Sequence, residues 1–272
     1  MASGKKSREA RRAAAAKPPP VQSKGGTRAR QASPKVLGGV AGVLLLIVVA
    51  VVLAVVLTGG KKSGAPKNVP AVGSIANGLP GAADVQALYK GIPQKGLVLG
   101  SAFAPVTMVE YVDLQCPYCR EFETQAMPTL ISRYVRTGKL KVDARPIAFI
   151  GPDSARGRAA AIAAGEQNKM FDLAQLLYLN QGVENTGWLD DRMVESAAAS
   201  IPALDVPRLL AEQSSRSTSM EAGRFDKQAS ADDVRSTPTI LVGRSGQALR
   251  PVSLSAPSDA RAVAAAIDAA LR

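Results

Sequence analysis

The longest uniform stretch of hydrophobic residues in the chain runs from Val36 to Leu57, and it contains no charged residue. As a helix this stretch would be roughly 33 Å long, which is enough to cross a bilayer core of about 30 Å. A cleaved signal peptide is the alternative, but its apolar region is shorter, about 7–15 residues. The following residues, Thr58-Gly59-Gly60-Lys61-Lys62, also form a poor cleavage site. The pattern therefore favours an uncleaved transmembrane helix over residues 36–57.

The segments on either side of this stretch lack apolar periodicity. Residues 1–35 are rich in Ala, Lys, Arg, Pro and Ser, which predicts a disordered tail. Residues 58–82 are rich in small and turn-forming residues, which predicts a flexible linker. The tail carries ten basic residues and one acid, so the positive-inside rule places it in the cytoplasm and everything after Leu57 outside. Residues 83–272 remain as the folded domain.

A strand–helix–strand pattern begins this domain. Val106 to Val112 is almost entirely apolar, as expected for a strand that is buried on both faces. A helical pattern starts at Cys116, with a kink expected near Pro128, and Leu140 to Pro146 has the character of a second strand. The apolar stripe of the helix consists of Phe122, Met127, Leu130, Ile131 and Tyr134. The order predicts a βαβ unit with parallel strands and a right-handed crossover.

The rest of the domain is mostly helical in pattern. Residues from about 154 to 235 contain several helical repeats separated by Gly, Pro and Asn. A β-hairpin is predicted around the turn at residues 243–246, and a helix from Pro257 to Arg272, with Ser255 near its cap, closes the chain. The sequence thus predicts an α/β fold that is interrupted by a helical insertion.

The charge distribution narrows the range of functions. The chain has a net charge of +12, but the N-terminal tail holds most of this excess, so the folded part is near neutral. Nucleic-acid binding calls for a basic face with interleaved aromatic residues, and the tail has no aromatic residue. We therefore expect no nucleic-acid partner.

The chain contains two cysteines, Cys116 and Cys119, within the segment Asp113-Leu114-Gln115-Cys116-Pro117-Tyr118-Cys119. A zinc site needs four ligands, whereas the chain has no histidine and no second cysteine pair, so we expect no metal and no cofactor. Two thiols at this spacing can close a small disulfide, and a helix N-terminus stabilises a thiolate at Cys116. The spacing predicts a redox pair in which Cys119 is the buried resolving thiol. Two structural thiols are the alternative.

From about Ile92 onward, the chain resembles the DsbA-like thiol-disulfide oxidoreductases, specifically membrane-tethered bacterial members with a thioredoxin fold. The resemblance is carried by Gly100, Ala104-Pro105-Val106-Thr107, Glu110-Tyr111-Val112-Asp113, Cys116-Pro117-Tyr118-Cys119 and Thr237-Pro238-Thr239. A bare CPYC sequence is also similar to glutaredoxin, but that family is cytosolic and lacks so long a helical insertion. The resemblance therefore implies a thioredoxin-like fold with a helical insertion.

The resemblance also implies roles for residues outside the cysteine pair. Pro117 fixes the backbone between the cysteines and Tyr118 tunes their environment. Thr237 and Pro238 would form a cis-proline loop that faces the cysteines, and the Thr237 backbone would pair with an extended substrate peptide. Glu110 would occupy the buried acidic position of the family, where it could exchange a proton with Cys119. From the residues alone, Glu110 could equally lie at a sheet edge and face water.

Two positions depart from the family pattern. The best-known members carry histidine where this chain has Tyr118, and many relatives carry glycine where it has Ser236. An imidazolium beside the cysteines would stabilise the thiolate, and here it is missing. We therefore expect a weaker oxidant than the strongest members of the family.

These features together predict an extracytoplasmic, membrane-anchored enzyme that forms disulfides in secreted or cell-surface proteins. A membrane redox partner, which the sequence does not identify, would reoxidise the cysteine pair. Two alternatives stay open. One is a disulfide reductase or isomerase that uses the same site, and the other is a non-catalytic peptide-binding or chaperone module.

Overall fold

A computed structural model describes residues 69–76 and 78–272 of the chain. The predicted tail, the predicted transmembrane helix over residues 36–57 and residues 58–68 and 77 of the predicted linker lie outside the described residues. Within the described part, no helix combines the length and the apolar character that crossing a bilayer requires. The proposed domain boundaries stay predictions.

A six-stranded mixed sheet forms the centre of the described part, in the order β1-β2-β4-β3-β5-β6. The strands are β1 (Gln94–Lys95), β2 (Val98–Leu99), β3 (Val106–Val112), β4 (Leu140–Pro146), β5 (Thr239–Arg244) and β6 (Arg250–Pro251). Strand β3 runs parallel to β4 and antiparallel to β5, and six of its seven residues are buried. The predicted βαβ unit is confirmed. Since β3 is a central strand, the alternative that placed Glu110 at a sheet edge is wrong.

The helix between β3 and β4 runs without a break from Pro117 to Val135, but its winding changes along its length. It consists of α2 (Pro117–Glu121), a π-helical turn (Phe122–Ala126), α3 (Met127–Leu130) and a second π-helical turn (Ile131–Val135). Pro128 has no N–H to donate, so the regular hydrogen-bond ladder is disturbed at this point. The structure thus has a π-helical turn on each side of Pro128, and the kink itself stays a prediction. The predicted apolar stripe is buried throughout.

Helices flank the sheet on both faces. Helix α1 (Ala82–Tyr89) precedes it, and the insertion contributes α4 (Pro152–Gly165), α5 (Met170–Leu179), α6 (Asp191–Ala199), α7 (Val206–Glu212) and α8 (Arg216–Ala231). The insertion predicted over about 154–235 is therefore observed. Helix α9 (Ala260–Leu271) closes the chain. The predicted start at Pro257 is wrong, because the Asp259 side chain caps the helix by accepting a hydrogen bond from the Ala262 N–H.

The alternating side chains of β3 belong to two hydrophobic cores. Val106, Met108 and Val112 belong to the core that includes the Pro117–Val135 helix, whereas Val109 and Tyr111 pack in the core that includes α8. By the same alternation, Glu110 lies on the face that the Pro117–Val135 helix covers. The sheet thereby places a carboxylate beneath the helix that carries both cysteines.

Candidate active site

Cys116 is the N-cap residue of α2, directly after the loop that follows β3. Its backbone is extended, and Pro117 occupies the first helical turn, where the missing N–H costs nothing. Cys116 is 4% exposed, whereas Cys119, one turn into the helix, is 0% exposed. Both cysteines are free thiols in this structure. The local sequence thus places one sulfur at the rim of the helix and the other inside the protein.

Several hydrogen bonds stabilise a negative charge on Cys116. Bonds from the Cys119 thiol, from Thr237 and from the N–H groups of Cys119 and Tyr118 outweigh the effect of burial, and they lower the pKa of Cys116 to about 6. As a thiol, Cys116 Sγ can also donate to the Thr237 carbonyl oxygen at 3.4 Å. Cys116 is therefore mostly a thiolate at neutral pH, which makes it both a nucleophile and a good leaving group.

Cys119 lies in the opposite electrostatic environment. Burial raises its pKa well above the ordinary value, and the neighbouring Cys116 raises it further. Its Sγ accepts one weak hydrogen bond, from the Asp113 N–H at 3.5 Å. When Cys119 leaves a disulfide as a thiolate, it therefore has a strong tendency to take up a proton.

The peptide bond between Thr237 and Pro238 is cis, as the family resemblance implies. It lies in the loop that leads into β5, and the contact between Cys116 Sγ and the Thr237 carbonyl brings this loop against the cysteine pair. Thr237 is buried, Pro238 is half-buried and the preceding Ser236 is exposed. A backbone segment thus lies at the reactive sulfur, where an extended peptide can be presented to it.

Two carboxylates lie inside the protein beneath the cysteines. Glu110 on β3 is 1% exposed and Glu123 on the Pro117–Val135 helix is 5% exposed. Burial and the neighbouring Glu123 raise the pKa of Glu110 well above its ordinary value, and burial raises the pKa of Glu123 to about 8. One oxygen of Glu110, Oε2, has no hydrogen-bond partner among the described residues. Burial thus favours the protonated form of both carboxyl groups, and the pair can hold a proton on the inner side of the site.

A sequence model of the family described as Thioredoxin matches residues 93–268, which is more than half of the chain. The chain belongs to this thioredoxin family.

Within this family, the chain is similar to proteins that are named for disulfide bond formation. Probable disulfide bond formation protein D of Bacillus cereus is 28% identical over 147 residues, which cover 53% of this chain and 68% of that protein. Disulfide bond formation protein D of Bacillus subtilis is 28% identical over 153 residues, which cover 53% of this chain and 66% of that protein.

Solved structures give the same fold. The crystal structure of oxidised BdbD from Bacillus subtilis matches with a TM-score of 0.57 and 20% identity, over 66% of this chain and 97% of that one. Chlamydia trachomatis DsbA matches with a TM-score of 0.54 and 16% identity, over 64% and 90% of the two chains. Together with the cysteine geometry, these comparisons identify a thiol-disulfide oxidoreductase with a DsbA-like thioredoxin fold.

The loop before the cysteines of this thioredoxin-family protein is bonded to the β4–α4 loop through Asp113. Asp113 is fully buried, and its Oδ2 accepts hydrogen bonds from the N–H groups of Phe149 and Ile150, at 2.7 and 3.0 Å. Its Oδ1 accepts from the Gln115 N–H at 2.9 Å. Asp113 is therefore an attachment point between two loops.

The helical insertion holds the same loop from the other side. Gln115 is fully buried, donates to Ser154 Oγ at 3.0 Å and accepts from the Asn185 N–H at 2.8 Å. Gln181 donates to the carbonyl oxygens of Leu114 and Cys116, at 2.9 and 3.2 Å. The insertion thus fixes the backbone from which Cys116 projects.

The two residues between the cysteines face solvent. Pro117 is exposed, and Tyr118 is 59% exposed with its ring on the surface beside Cys116. Phe149 and Val183 add exposed apolar surface, and they lie on the two loops that contact the Asp113–Gln115 segment. The rim of the site is therefore apolar, while the buried side of the site is polar.

Sequence reasoning missed part of this site. In the sequence, Glu123 lies in an early turn of the helix, where an acid suits the positive helix end, whereas the structure buries its side chain. The available signal was its position four residues after Cys119, on the same face of the helix. Gln115, Gln181, Ser154 and Asn185 gave no local signal, because they meet only through the insertion.

Proposed function

We propose that this chain is an extracytoplasmic oxidase that forms disulfides in secreted or cell-surface proteins by transferring its Cys116–Cys119 disulfide to them. The observation that carries the proposal is the unequal environment of the two sulfurs. Hydrogen bonds lower the pKa of Cys116 to about 6, while burial raises that of Cys119. A stabilised Cys116 thiolate favours the reduced enzyme, and an enzyme whose reduced form is stabilised is an oxidant.

The first step is the attack of a substrate thiolate on Cys116 Sγ of the oxidised enzyme. The Cys116–Cys119 bond breaks, a mixed disulfide forms between substrate and Cys116, and Cys119 leaves as a thiolate. Since the pKa of Cys119 is raised, this thiolate then takes up a proton. The buried pair of Glu110 and Glu123 is a proton source on the inner side of the site, and we assign Glu110 the role of donor to Cys119.

The second step releases the product. A second substrate thiolate attacks the substrate sulfur of the mixed disulfide, and Cys116 leaves as a thiolate. Two substrate thiols have then lost two electrons and two protons, and the enzyme holds two reduced cysteines. The lowered pKa of Cys116 accelerates this step, because a leaving thiolate of low pKa departs faster.

Substrate binding is assigned to the cis-proline loop. Among the described residues, no hydrogen bond occupies the Thr237 N–H, so it is free to pair with the backbone of an extended substrate. Main-chain pairing gives affinity without sequence choice, which suits an enzyme with many unfolded substrates. Pro238 shapes the loop, and the exposed Pro117 and Tyr118 complete the surface that the substrate contacts.

The location rests on sequence alone. The predicted transmembrane helix over residues 36–57 would anchor the protein in the cell membrane by a single pass, with the tail in the cytoplasm and the catalytic domain outside. An oxidising compartment lets a disulfide persist. Reoxidation needs an electron acceptor, and we assign this role to a membrane redox partner whose identity the chain does not reveal.

The reduction potential of the Cys116–Cys119 pair tests the proposal. We expect a value between about −270 mV, the level of thioredoxin, and about −120 mV, the level of the strongest oxidants of this fold. A value at or below the thioredoxin level would reject the oxidase and favour a reductase. Reactivation of a substrate with scrambled disulfides, faster than oxidation of a reduced one, would favour an isomerase.

A further inference from the structure

The charges of the described residues are unevenly distributed over the fold. Basic and acidic residues are equal in number over residues 69–272, so this part has no net charge. Three segments nevertheless contain no Asp or Glu at all, namely 88–107, 135–142 and 243–250, and together they hold Lys90, Lys95, Arg136, Lys139, Lys141, Arg244 and Arg250. One part of the surface is therefore strongly basic, and the acids lie elsewhere.

These acid-free segments meet at the end of the sheet opposite the cysteines. Val106, the first residue of β3, pairs with Leu140 at the start of β4 and with Arg244 at the end of β5. The Arg136 guanidinium donates to the carbonyl oxygen of Lys90 at 2.9 Å, which adds the end of α1 to the same region. We call Lys90, Arg136, Lys139, Lys141 and Arg244 the basic pole.

None of the five cations of the basic pole forms a salt bridge with an acid among the described residues. Four of them are exposed and Lys141 is half-buried. Arg133, on the same helix as Arg136, is paired with Asp268 and adds no net charge. The positive charge is thus available to an external anion.

An aromatic side chain projects from the loop before β3, next to Lys141 of the basic pole. Phe103 is 95% exposed, more than any other large hydrophobic residue of the described part. Its loop is held against the strands, since the Lys141 ammonium donates to the Ala102 carbonyl oxygen at 3.1 Å and Ser245 Oγ donates to that of Ala104 at 2.6 Å. A fixed loop that presents a bare phenyl ring among cations is a costly arrangement in water.

We propose that the basic pole and Phe103 dock this domain onto a lipid membrane that contains anionic headgroups. Lys and Arg near such a surface gain attraction to it, and aromatic rings lie favourably at the interface between headgroups and acyl chains. Charge complementarity and the exposed ring both favour a lipid surface over a folded acidic protein, which would need a shaped pocket for Phe103.

Docking by this pole sets the direction in which the active site faces. Cys116 follows the opposite end of β3, and the seven residues of that strand span about 20 Å. In the docked state, Cys116 therefore points away from the lipid, towards substrates in the surrounding space. Docking goes beyond the redox chemistry, and its failure would leave the proposed oxidase function intact.

The test uses the full chain in lipid vesicles with tryptophan as a local reporter. In a Trp188→Phe background, Phe103→Trp places the single tryptophan in the basic pole. We expect quenching by brominated acyl chains in vesicles with 30% phosphatidylglycerol, and little quenching in pure phosphatidylcholine. High salt should abolish the quenching, because it screens the headgroup attraction. The N-terminal tail cannot produce this signal, since the reporter is at position 103.

Matched variants complete the test. Met220→Trp in the same background places a reporter at a residue that is 66% exposed on α8, outside the basic pole, and it should stay unquenched. Replacing Lys139, Lys141 and Arg244 together by glutamine should weaken the quenching of the Phe103→Trp reporter at least tenfold without changing thiol oxidation. Equal quenching in both lipids, or no effect of the triple variant, would overturn the proposal.

If Trp188→Phe disturbs folding, hydrogen exchange of residues 100–107 in the unmodified chain tests the same docking. Anionic vesicles should slow the exchange of these residues, and neutral vesicles should not.

Discussion

Cys116 and Cys119 are one helical turn apart, yet their surroundings have little in common. Cys116 lies at the open end of the helix, where N–H groups and Thr237 donate to its sulfur. Cys119 lies inside the protein, where its Sγ accepts one weak hydrogen bond, and the helix that carries it also carries the buried Glu123, which interacts with Glu110 on β3. The first environment stabilises a negative charge and the second opposes one.

This difference gives the cysteine pair a direction. A symmetric pair would let either sulfur receive the substrate, whereas here a single sulfur is both accessible and easily displaced. The proton that Cys119 needs is held on the inner side, and the peptide-binding loop lies on the outer side. Each prediction below removes or reverses one part of this contrast, beginning with the largest effect.

Replacing each cysteine in turn should give different failures. Cys116→Ser should reduce oxidation of an unfolded, reduced substrate to the uncatalysed rate, because the remaining sulfur, on Cys119, is fully buried. Cys119→Ser, mixed with a substrate that already contains a disulfide, should instead accumulate a mixed disulfide that is visible on a non-reducing gel. The Cys116 thiolate attacks the substrate disulfide, one substrate sulfur leaves as a thiolate, and no second enzyme thiol is present to release the complex. Absence of oxidation by the unmodified chain would favour the peptide-binding alternative, and oxidation by Cys116→Ser at the unmodified rate or equal trapping by both variants would refute the assigned roles.

The carboxylate pair should make the oxidised protein less stable as the pH rises. The folded-state pKa of Glu123 is about 8, above the ordinary value of 4.5, so its stabilising contribution is present in full below pH 4.5 and is lost as the pH rises through 8. The loss should be on the order of a few kcal/mol, at about 1.4 kcal/mol for each pH unit. Denaturant unfolding of the oxidised protein at pH 5 and pH 8 measures it.

Glutamine variants separate this effect from other titrations. Glu110→Gln combined with Glu123→Gln should flatten the pH dependence, and should also slow the step in which Cys119 is protonated. Glu121→Gln removes a carboxylate from the same helix and serves as the matched control, which should keep the slope. A slope that survives the double substitution would show that other groups produce it.

Reduction of the disulfide should add a pH dependence of the opposite sign. The pKa of Cys116 is about 6, below the ordinary 9.0, so the stabilisation it adds to the reduced fold is complete above pH 9 and is lost as the pH falls through 6. The reduced protein should therefore gain stability relative to the oxidised one between pH 6 and pH 9. Thiolate absorbance at 240 nm should titrate with a midpoint near 6. A midpoint near 9 would remove the basis of the oxidase proposal.

Tyr118→His should increase the difference between the environments of Cys116 and Cys119 by a smaller amount. An imidazolium beside Cys116 adds a positive charge near the thiolate, so we expect the pKa of Cys116 to fall by about one unit and the reduction potential to rise by about 30 mV. Tyr118→Phe keeps the ring without the charge and should leave both values unchanged. A potential that does not respond to Tyr118→His would mean that this exposed position has no electrostatic influence on the thiolate.

The smallest expected effect is that of the insertion on the active-site loop. Gln181→Met removes the donor to the Leu114 and Cys116 carbonyl oxygens, which should cost about 1–2 kcal/mol of unfolding free energy. A looser loop should also raise the pKa of Cys116 slightly, measured at 240 nm. Gln125→Met, an exposed position on the Pro117–Val135 helix, is the control. Identical behaviour of the two variants would mean that Gln181 has no positioning role.

Local pattern was enough to predict the framework of this site. The bounds predicted for the strands Val106–Val112 and Leu140–Pro146 are those observed. An apolar strand can be recognised from a few consecutive residues. The cysteine spacing indicated which sulfur caps the helix. Helix starts were less accurate, as at α9, since a cap depends on one side chain among several candidates.

The buried polar contacts of the site could not be predicted from such local patterns. Glu123 has the same local sequence context whether its helix face is covered or open. Gln115 becomes a buried connector only because Ser154 and Asn185 lie 39 and 70 residues further along the chain. Such contacts depend on how the insertion packs, and no periodicity along the chain encodes them.

By itself, the sequence determined a redox cysteine pair at the start of a helix, the βαβ unit that carries it, and the cis-proline loop implied by family resemblance. Only the tertiary structure decided which sulfur is stabilised as an anion, that two carboxylates share the space beneath the pair, and that cations from three segments gather at the far end of the sheet. The physical reason is that spacing fixes what a residue is next to in the chain, whereas burial and charge depend on what packs around it in space.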